Sequence, residues 1–241
     1  MKKKAFLWCL AAMFSGTALA DSHAQPTVYG RYFAMEVSDP GAVVAAMQKY
    51  WGSATGKKLT GNATLSAVVA NGREAASHTV SVFYESAAAM AADMQTASGS
   101  NDAKEFVAAM SKAMTLEAEN VFTMTKMKIN AEGLGGAGTA NMLYGMTVTD
   151  RTRFNTAINA IFESKAAAAF PGNILMGEIL AMGDTPGTHW VSFQSKDMAT
   201  LLNGVEAFMK SADFARYARY ASEFRNIESC YISSAVLDNS E

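Results

Sequence analysis

The sequence predicts an α+β fold in which two tandem βαββαβ units pack sheet to sheet about a pseudo-two-fold axis as an α+β barrel. Three observations predict it. Sliding the chain by 111 residues aligns Arg31–Ala118 with Met142–Ser229 without a gap and gives 17 identities in 88 positions. Repetition at a fixed offset is the mark of a duplicated supersecondary unit. Each copy shows the same order of strand-like and helix-like segments. Between the copies lies Ala131–Thr139, with four glycines in nine residues, the composition of a flexible linker. The expected units are therefore 27–130 and 141–239, joined by a linker at 131–140.

The matched positions are those where backbone chemistry is demanding. Met35-Glu36-Val37-Ser38-Asp39 lies over Met146-Thr147-Val148-Thr149-Asp150, Gly61-Asn62 over Gly172-Asn173, and Gly72 over Gly183. His78-Thr79-Val80-Ser81 lies over His189-Trp190-Val191-Ser192, and Ser100 and Asp102 over Ser211 and Asp213.

Within each copy the elements follow in order. Val28 to Val37 is a β-rich run. Asp39-Pro40 then combines an N-cap acid with proline at the first helical position, and Asp150 repeats the cap. Val43, Val44, Met47, Tyr50 and Trp51 form a helical stripe, repeated by Phe154, Ile158, Ile161 and Phe162. Two strands follow, near Ala63–Ala70 and His78–Tyr84, with Asn71-Gly72 in their hairpin; the second pair is Ile174–Ala181 and His189–Gln194, with Gly183 and Pro186 between. A long helical region, Ala87–Met114 or Met198–Phe224, breaks and restarts near Asp102 or at Ser211-Ala212-Asp213. A closing strand is expected at Glu119–Ile129 and Glu228–Leu237. This order is the ferredoxin-like split plan, with helices on one sheet face. The other face stays bare unless a second sheet covers it, and the second unit is covalently at hand.

Composition bounds the function classes. Half of the 241 residues are hydrophobic and 17% are charged, enough for a packed core. Lys2-Lys3-Lys4, the apolar run Ala5–Met13 and Ala18-Leu19-Ala20 have the layout of a secretory signal peptide over 1–20, pointing to a periplasmic or secreted protein. Loss of those three lysines takes the formal charge from −2 to −5. An acidic chain without a basic tract is not expected to bind nucleic acid or, once the leader is cleaved, a membrane. Cys9 falls in the leader, so Cys230 is left alone and reads as a small buried hydrophobe. The 16 methionines sit largely at stripe or alternate-strand positions and read as core rather than as copper ligands. No GxSxG, P-loop, CxxC or HExxH motif occurs.

Element order, unit length and duplication together resemble the dimeric α+β barrel superfamily, which includes antibiotic-biosynthesis-monooxygenase-like proteins. The resemblance covers nearly all of Val28–Leu237. It implies a range of activities: cofactor-free oxygenases, haem-degrading enzymes, and haem peroxidase and chlorite-dismutase relatives. For haem degraders it implies an asparagine, a tryptophan and a histidine on the second helix. Asn141 and Trp190 fit the first two places, but neither long helix carries a histidine. For chlorite-dismutase-like chemistry the resemblance implies one proximal haem histidine, for which His189 is the candidate by elimination; haem thus remains a candidate cofactor, and no other is evident.

Strand alternation nominates the site residues. Glu36, Ser81, Thr147, Trp190, Ser192 and Gln194 fall on the face expected to look into the barrel. Glu36 there would be a carboxylate base, or else a hydrated residue at the strand mouth. His78 and His189 occupy equivalent positions and are either bases or haem ligands, or the strand's hydrogen-bond link to its hairpin. The ligand-binding candidates are thus Glu36, His78, Ser81, His189, Trp190, Ser192 and Gln194. They suit a small hydrophobic or aromatic ligand, with a further sheet edge available for a homo-oligomer. Two functions follow: an exported small-molecule-binding or interaction protein, or a cofactor-free or haem-dependent monooxygenase-like oxidoreductase.

Overall fold

The structure is a computed structural model that describes residues 27–72, 74–181 and 187–239. The leader, His23, Gly183 and Pro186 lie outside the described residues. Eight antiparallel strands form one closed barrel: β1 Val28–Val37, β2 Asn62–Ala70, β3 His78–Tyr84, β4 Met114–Ile129, β5 Ala140–Val148, β6 Asn173–Ala181, β7 His189–Ser195 and β8 Arg225–Asp238. Around the wall the order is β1-β3-β2-β8-β5-β7-β6-β4. The described residues also form seven α-helices: α1 Pro40–Gly52, α2 Ala87–Ala97, α3 Asn101–Ala113, α4 Arg151–Phe162, α5 Lys165–Ala168, α6 Met198–Met209 and α7 Ala212–Ala221.

The two four-stranded layers meet edge to edge, not face to face as the sequence suggested. The reason is the length of β4 and β8, which have 16 and 14 residues and begin well before the expected strands. The start of β4 pairs with β1 and its end with β6. Likewise β8 pairs first with β5 and then with β2. Register shifts at Val121/Phe122 and Met124/Lys126 turn β4 from one neighbour to the other, the bending that β-bulges supply. No edge strand is left open, which removes the template for edge pairing.

Local chemistry fixes the helix entries. Asp39 accepts from the Ala42 N–H at 2.9 Å, and Asp150 from that of Arg153 at 3.0 Å, each satisfying a first-turn donor. The cap of α3 is Ser100, whose hydroxyl accepts from the Ala103 N–H at 3.3 Å. Asp102, expected in that role, instead accepts from the Thr55 N–H at 3.0 Å. In α7 the cap is Ser211, at the restart that the sequence marked.

The helices coat the outside of the barrel, and the main cores lie beneath them. One packs Met35, Val43, Met47, Leu65, Val80 and Met110. The larger one packs Phe154, Ile158, Phe193, Leu201, Phe208 and Phe224 among others. The glycine-rich connection is tied to the wall: Gly138 N–H donates to Ala235 O at 2.9 Å, and Thr64 Oγ1 to Gly135 O at 3.3 Å. With every neighbouring pair antiparallel, the far ends of β2 and β6 and the starts of β4 and β8 share one end of the barrel. The 130–139 connection closes over the other.

Candidate ligand site in the barrel lumen

The barrel encloses a cavity of about 1590 Å³. Eight-stranded barrels are wide enough either to fill with side chains or to hold one small ligand, and this lumen is not filled. The alternative cleft, between sheet and helices of the second half, measures only about 60 Å³ and is lined by Ile158, Phe193 and Phe208. The lumen wall mixes small residues such as Ala34, Ser66, Ser81 and Gly145 with a few aromatic rings.

The lumen has two chemical sides. On one, Val28, Phe122, Met124, Leu175 and Trp190 form an apolar cluster with Phe83 against it. Phe122 meets Phe83 and Trp190 edge to face, with ring centroids 5.4 and 5.2 Å away, a favoured aromatic geometry. Glycine makes this packing possible at two places. A Cβ on Gly30 would lie 2.2 Å from the Phe122 ring, and one on Gly177 would lie 1.6 Å from Thr123 O and 2.7 Å from the Trp190 indole nitrogen. That nitrogen donates to Thr123 O at 3.2 Å, so the buried indole is satisfied.

The rest of the wall is rich in hydroxyls: Tyr32, whose ring also packs against the apolar cluster, and Thr79, Ser81, Tyr231 and Ser233 all line the cavity. The rings of Tyr32 and Tyr231 are 6.3 Å apart, and the Tyr231 hydroxyl lies within hydrogen-bonding reach of those of Tyr32 and Thr79. Burial is the main cause that pushes both phenols up, Tyr32 to about 12 and Tyr231 well above its ordinary value. Both are therefore protonated at neutral pH and able to donate. Nearby, Ser192 Oγ donates to Asn141 Oδ1.

Of the sequence candidates, Ser81, Trp190, Ser192 and Gln194 line the lumen. Glu36 does not. It lies beyond the start of β3, where β1 has only β4 beside it, and its side chain is exposed. Thr147 also stands outside the lining. His78 and His189 face the helix layer, because the inward residue on their strands is the next one along. His189 is 1% exposed and packs edge to face on Phe154 with centroids 4.9 Å apart. Its Nδ1 bonds Thr188 Oγ1 at 2.8 Å, and that hydroxyl accepts from the Val148 N–H at 3.0 Å. Ser77 links His78 to the Val37 N–H in the same way, with both distances 3.0 Å. Each histidine thus joins its strand to the adjacent turn. Desolvation lowers the basicity of both imidazoles; at His189 the Glu178 carboxylate opposes this in part.

These placements bear on haem. His189 has one ring nitrogen bonded and the other 3.7 Å from Glu178 Oε1, and the neighbouring cleft is far too small for a porphyrin. No histidine is among the described residues that line the lumen. The residues present do not fit a histidine-ligated haem. Among the described residues no cluster of three histidine, cysteine or carboxylate side chains is placed to hold a metal ion, and no helix is long and apolar enough to cross a membrane.

Sequence reasoning missed Tyr32, Phe122 and Tyr231. The signal was available in the alternation that nominated Ser81: Tyr32 shares the face of Ala34 and Glu36, and Tyr231 follows Ser229 and precedes Ser233 on theirs.

A closed antiparallel barrel, an outer coat of helices and one central cavity define an α+β barrel protein. No protein-family model matches the chain, and no curated protein matches it. Solved structures do. A protein of Fusobacterium nucleatum subsp. nucleatum ATCC 25586, assigned as a monooxygenase, superposes with a TM-score of 0.60 at 11% identity, over 90% of this chain and 94% of its own. One of Lactobacillus acidophilus NCFM with the same assignment gives 0.56 at 11% identity, over 89% and 95%. An anthrone oxidase-like protein gives 0.53 at 10% identity, over 89% and 93%. At such identities the likeness is one of fold.

Proposed function

We propose that this chain binds a small hydrophobic or aromatic molecule inside its barrel. The observation that carries the reading is the open lumen of about 1590 Å³ with an aromatic side and a hydroxyl side, larger than the roughly 300–1,000 Å³ of ordinary ligand sites. Phe83, Phe122 and Trp190 supply ring faces and edges; Tyr32, Ser81, Ser192 and Gln194 supply polar contacts. A tandem duplication of one ferredoxin-like unit underlies the barrel in this proposal. Its support is the 111-residue offset and the matching registers, in which Met35 faces His78 and Met146 faces His189. Export belongs to the same proposal and rests on the sequence of residues 1–20.

The test is native mass spectrometry of the chain purified from its own host. The expected result is one retained organic molecule per chain, released on unfolding. A chain that arrives empty and takes up no ring compound when challenged would contradict the reading. A monooxygenase-like oxidoreductase is the second reading, supported by the assignments of the Fusobacterium and Lactobacillus proteins of like fold. Its measurable sign is oxygen uptake on addition of an electron-rich ring compound to the purified chain.

A further inference from the structure

We propose that the lumen takes uncharged ring-bearing molecules that present a carbonyl or hydroxyl oxygen, and rejects anions of the same shape, with Tyr32, Thr79 and Tyr231 reading that oxygen. This rests on the lumen being the ligand site and names the class of ligand it accepts.

The charge distribution argues first. Among the described residues that line the cavity, the charged ones are Glu74, Glu132 and Glu228; none is lysine, arginine or histidine. Glu74 and Glu228 stand at the end where β2 finishes and β8 starts, and Glu132 stands in the connection at the other. Among the described residues of this lining a carboxylate ligand would meet three carboxylates and no cation to replace its lost water, the costly case for a buried charge. Arg31 on the wall is turned outward: it pairs with Glu119 and lies over Phe33 on the helix side.

The hydroxyl cluster argues second. Tyr32, Thr79 and Tyr231 all line the cavity, and each hydroxyl carries a donor. An O–H of this cluster is therefore within reach of a guest in the lumen, beside the apolar cluster on which Tyr32 itself packs. A neutral oxygen satisfies it at no ionic cost, while a ring occupies the space beside Phe83, Phe122 and Trp190.

The test is equilibrium binding of naphthalene, naphthol and naphthoate to the full chain at neutral pH. Naphthol is expected to bind at least about tenfold more tightly than naphthoate. In Tyr231→Phe and Tyr32→Phe, naphthol should weaken about three- to tenfold, the worth of one hydrogen bond, with naphthalene unchanged. Unaltered naphthalene binding also shows that the variants are folded, and Thr79→Val gives an independent removal of a cluster hydroxyl. Naphthoate binding as tightly as naphthol, or naphthol binding indifferent to all three substitutions, overturns the inference. If naphthalene binds and only the oxygen and charge preferences are missing, the lumen reading survives. If none of the three binds, the lumen reading itself fails, and this inference with it.

Discussion

The two halves of the barrel repeat one backbone plan and differ most in what they turn inward. On the helix side, four strand positions 111 apart keep their residues, Met35 and Met146, Val37 and Val148, His78 and His189, and Val80 and Val191, while Leu65 and Met176 or Val82 and Phe193 differ. On the lumen side Ser81 and Ser192 match, but most positions change. Tyr32 stands where the second half has Leu143, Thr79 where it has Trp190, Phe83 where it has Gln194, and Asn120 where it has Tyr231. Each sheet packs helices on its outer face, where an exchange must be matched by its neighbours. Among the described residues the lumen is not filled, and few of its facing positions match between the halves. The result is an asymmetric lining, apolar and aromatic over β4, β6 and β7 and richer in hydroxyls over β1, β3 and β8.

A second contrast shows how one position can be solved in two ways. In the first half the buried Asp93 carboxylate accepts from Thr60 N–H at 2.8 Å, Gly61 N–H at 2.8 Å and the Thr60 hydroxyl at 3.1 Å. In the second half the corresponding residue is Gly204, and Pro171 replaces Thr60. A Cβ on Gly204 would lie 2.8 Å from the Pro171 ring. Proline has no N–H to satisfy, so the acid is not needed and the glycine lets the ring close in.

The halves can be separated by perturbation. The largest effect is expected at Phe154, which is fully buried: Phe154→Ala should cost about 3–5 kcal/mol in denaturant unfolding. Val43→Ala, its counterpart, should cost about 2 kcal/mol for two buried methyl groups. Equal losses would mean that the two helix layers do not rely on these anchors as described.

Next comes the Asp93 turn. Asp93→Gly should cost about 2–3 kcal/mol, because hydrogen bonds to a charged acceptor are lost and two N–H groups remain. Adding Thr60→Pro should recover part of that loss, a coupling visible only in the double-mutant cycle. Strict additivity would contradict the exchange argument.

A smaller effect should appear with pH. Burial holds both histidines below their ordinary basicity. Each therefore takes up a proton on unfolding more readily than when folded. Their contribution to stability is complete above the unfolded value of about 6.5 and is lost as pH falls below it towards the folded value. The fully buried His189 should dominate. His189→Gln should flatten the stability profile between about pH 7 and pH 5 more than His78→Gln does; the reverse order would contradict the burial difference.

Much of the wall was legible before the structure, because strand alternation, capping acids and the 111-residue offset are local signals. Asp39, Asp150 and Ser211 cap helices where the sequence marked them. The closure was not legible. It depends on β4 and β8 each serving two neighbours, and neither strand length nor the bulges at Val121/Phe122 and Met124/Lys126 leave a clear local mark. The site was half legible. Alternation found Ser81, Trp190, Ser192 and Gln194, but it extended the inward face one step too far at Glu36 and stopped one step short of Tyr32. The histidines drew attention by chemistry, and the fold gave both to the helix layer.

The most direct test asks where a ligand sits. Titration calorimetry with naphthol should give one site per chain. Ser81→Trp, which sets a bulky ring beside Tyr32 inside the lumen, should weaken or abolish that site, and His189→Gln should leave it intact. Two sites per chain, or binding that survives Ser81→Trp and disappears with His189→Gln, would place the site under the helices and contradict the account.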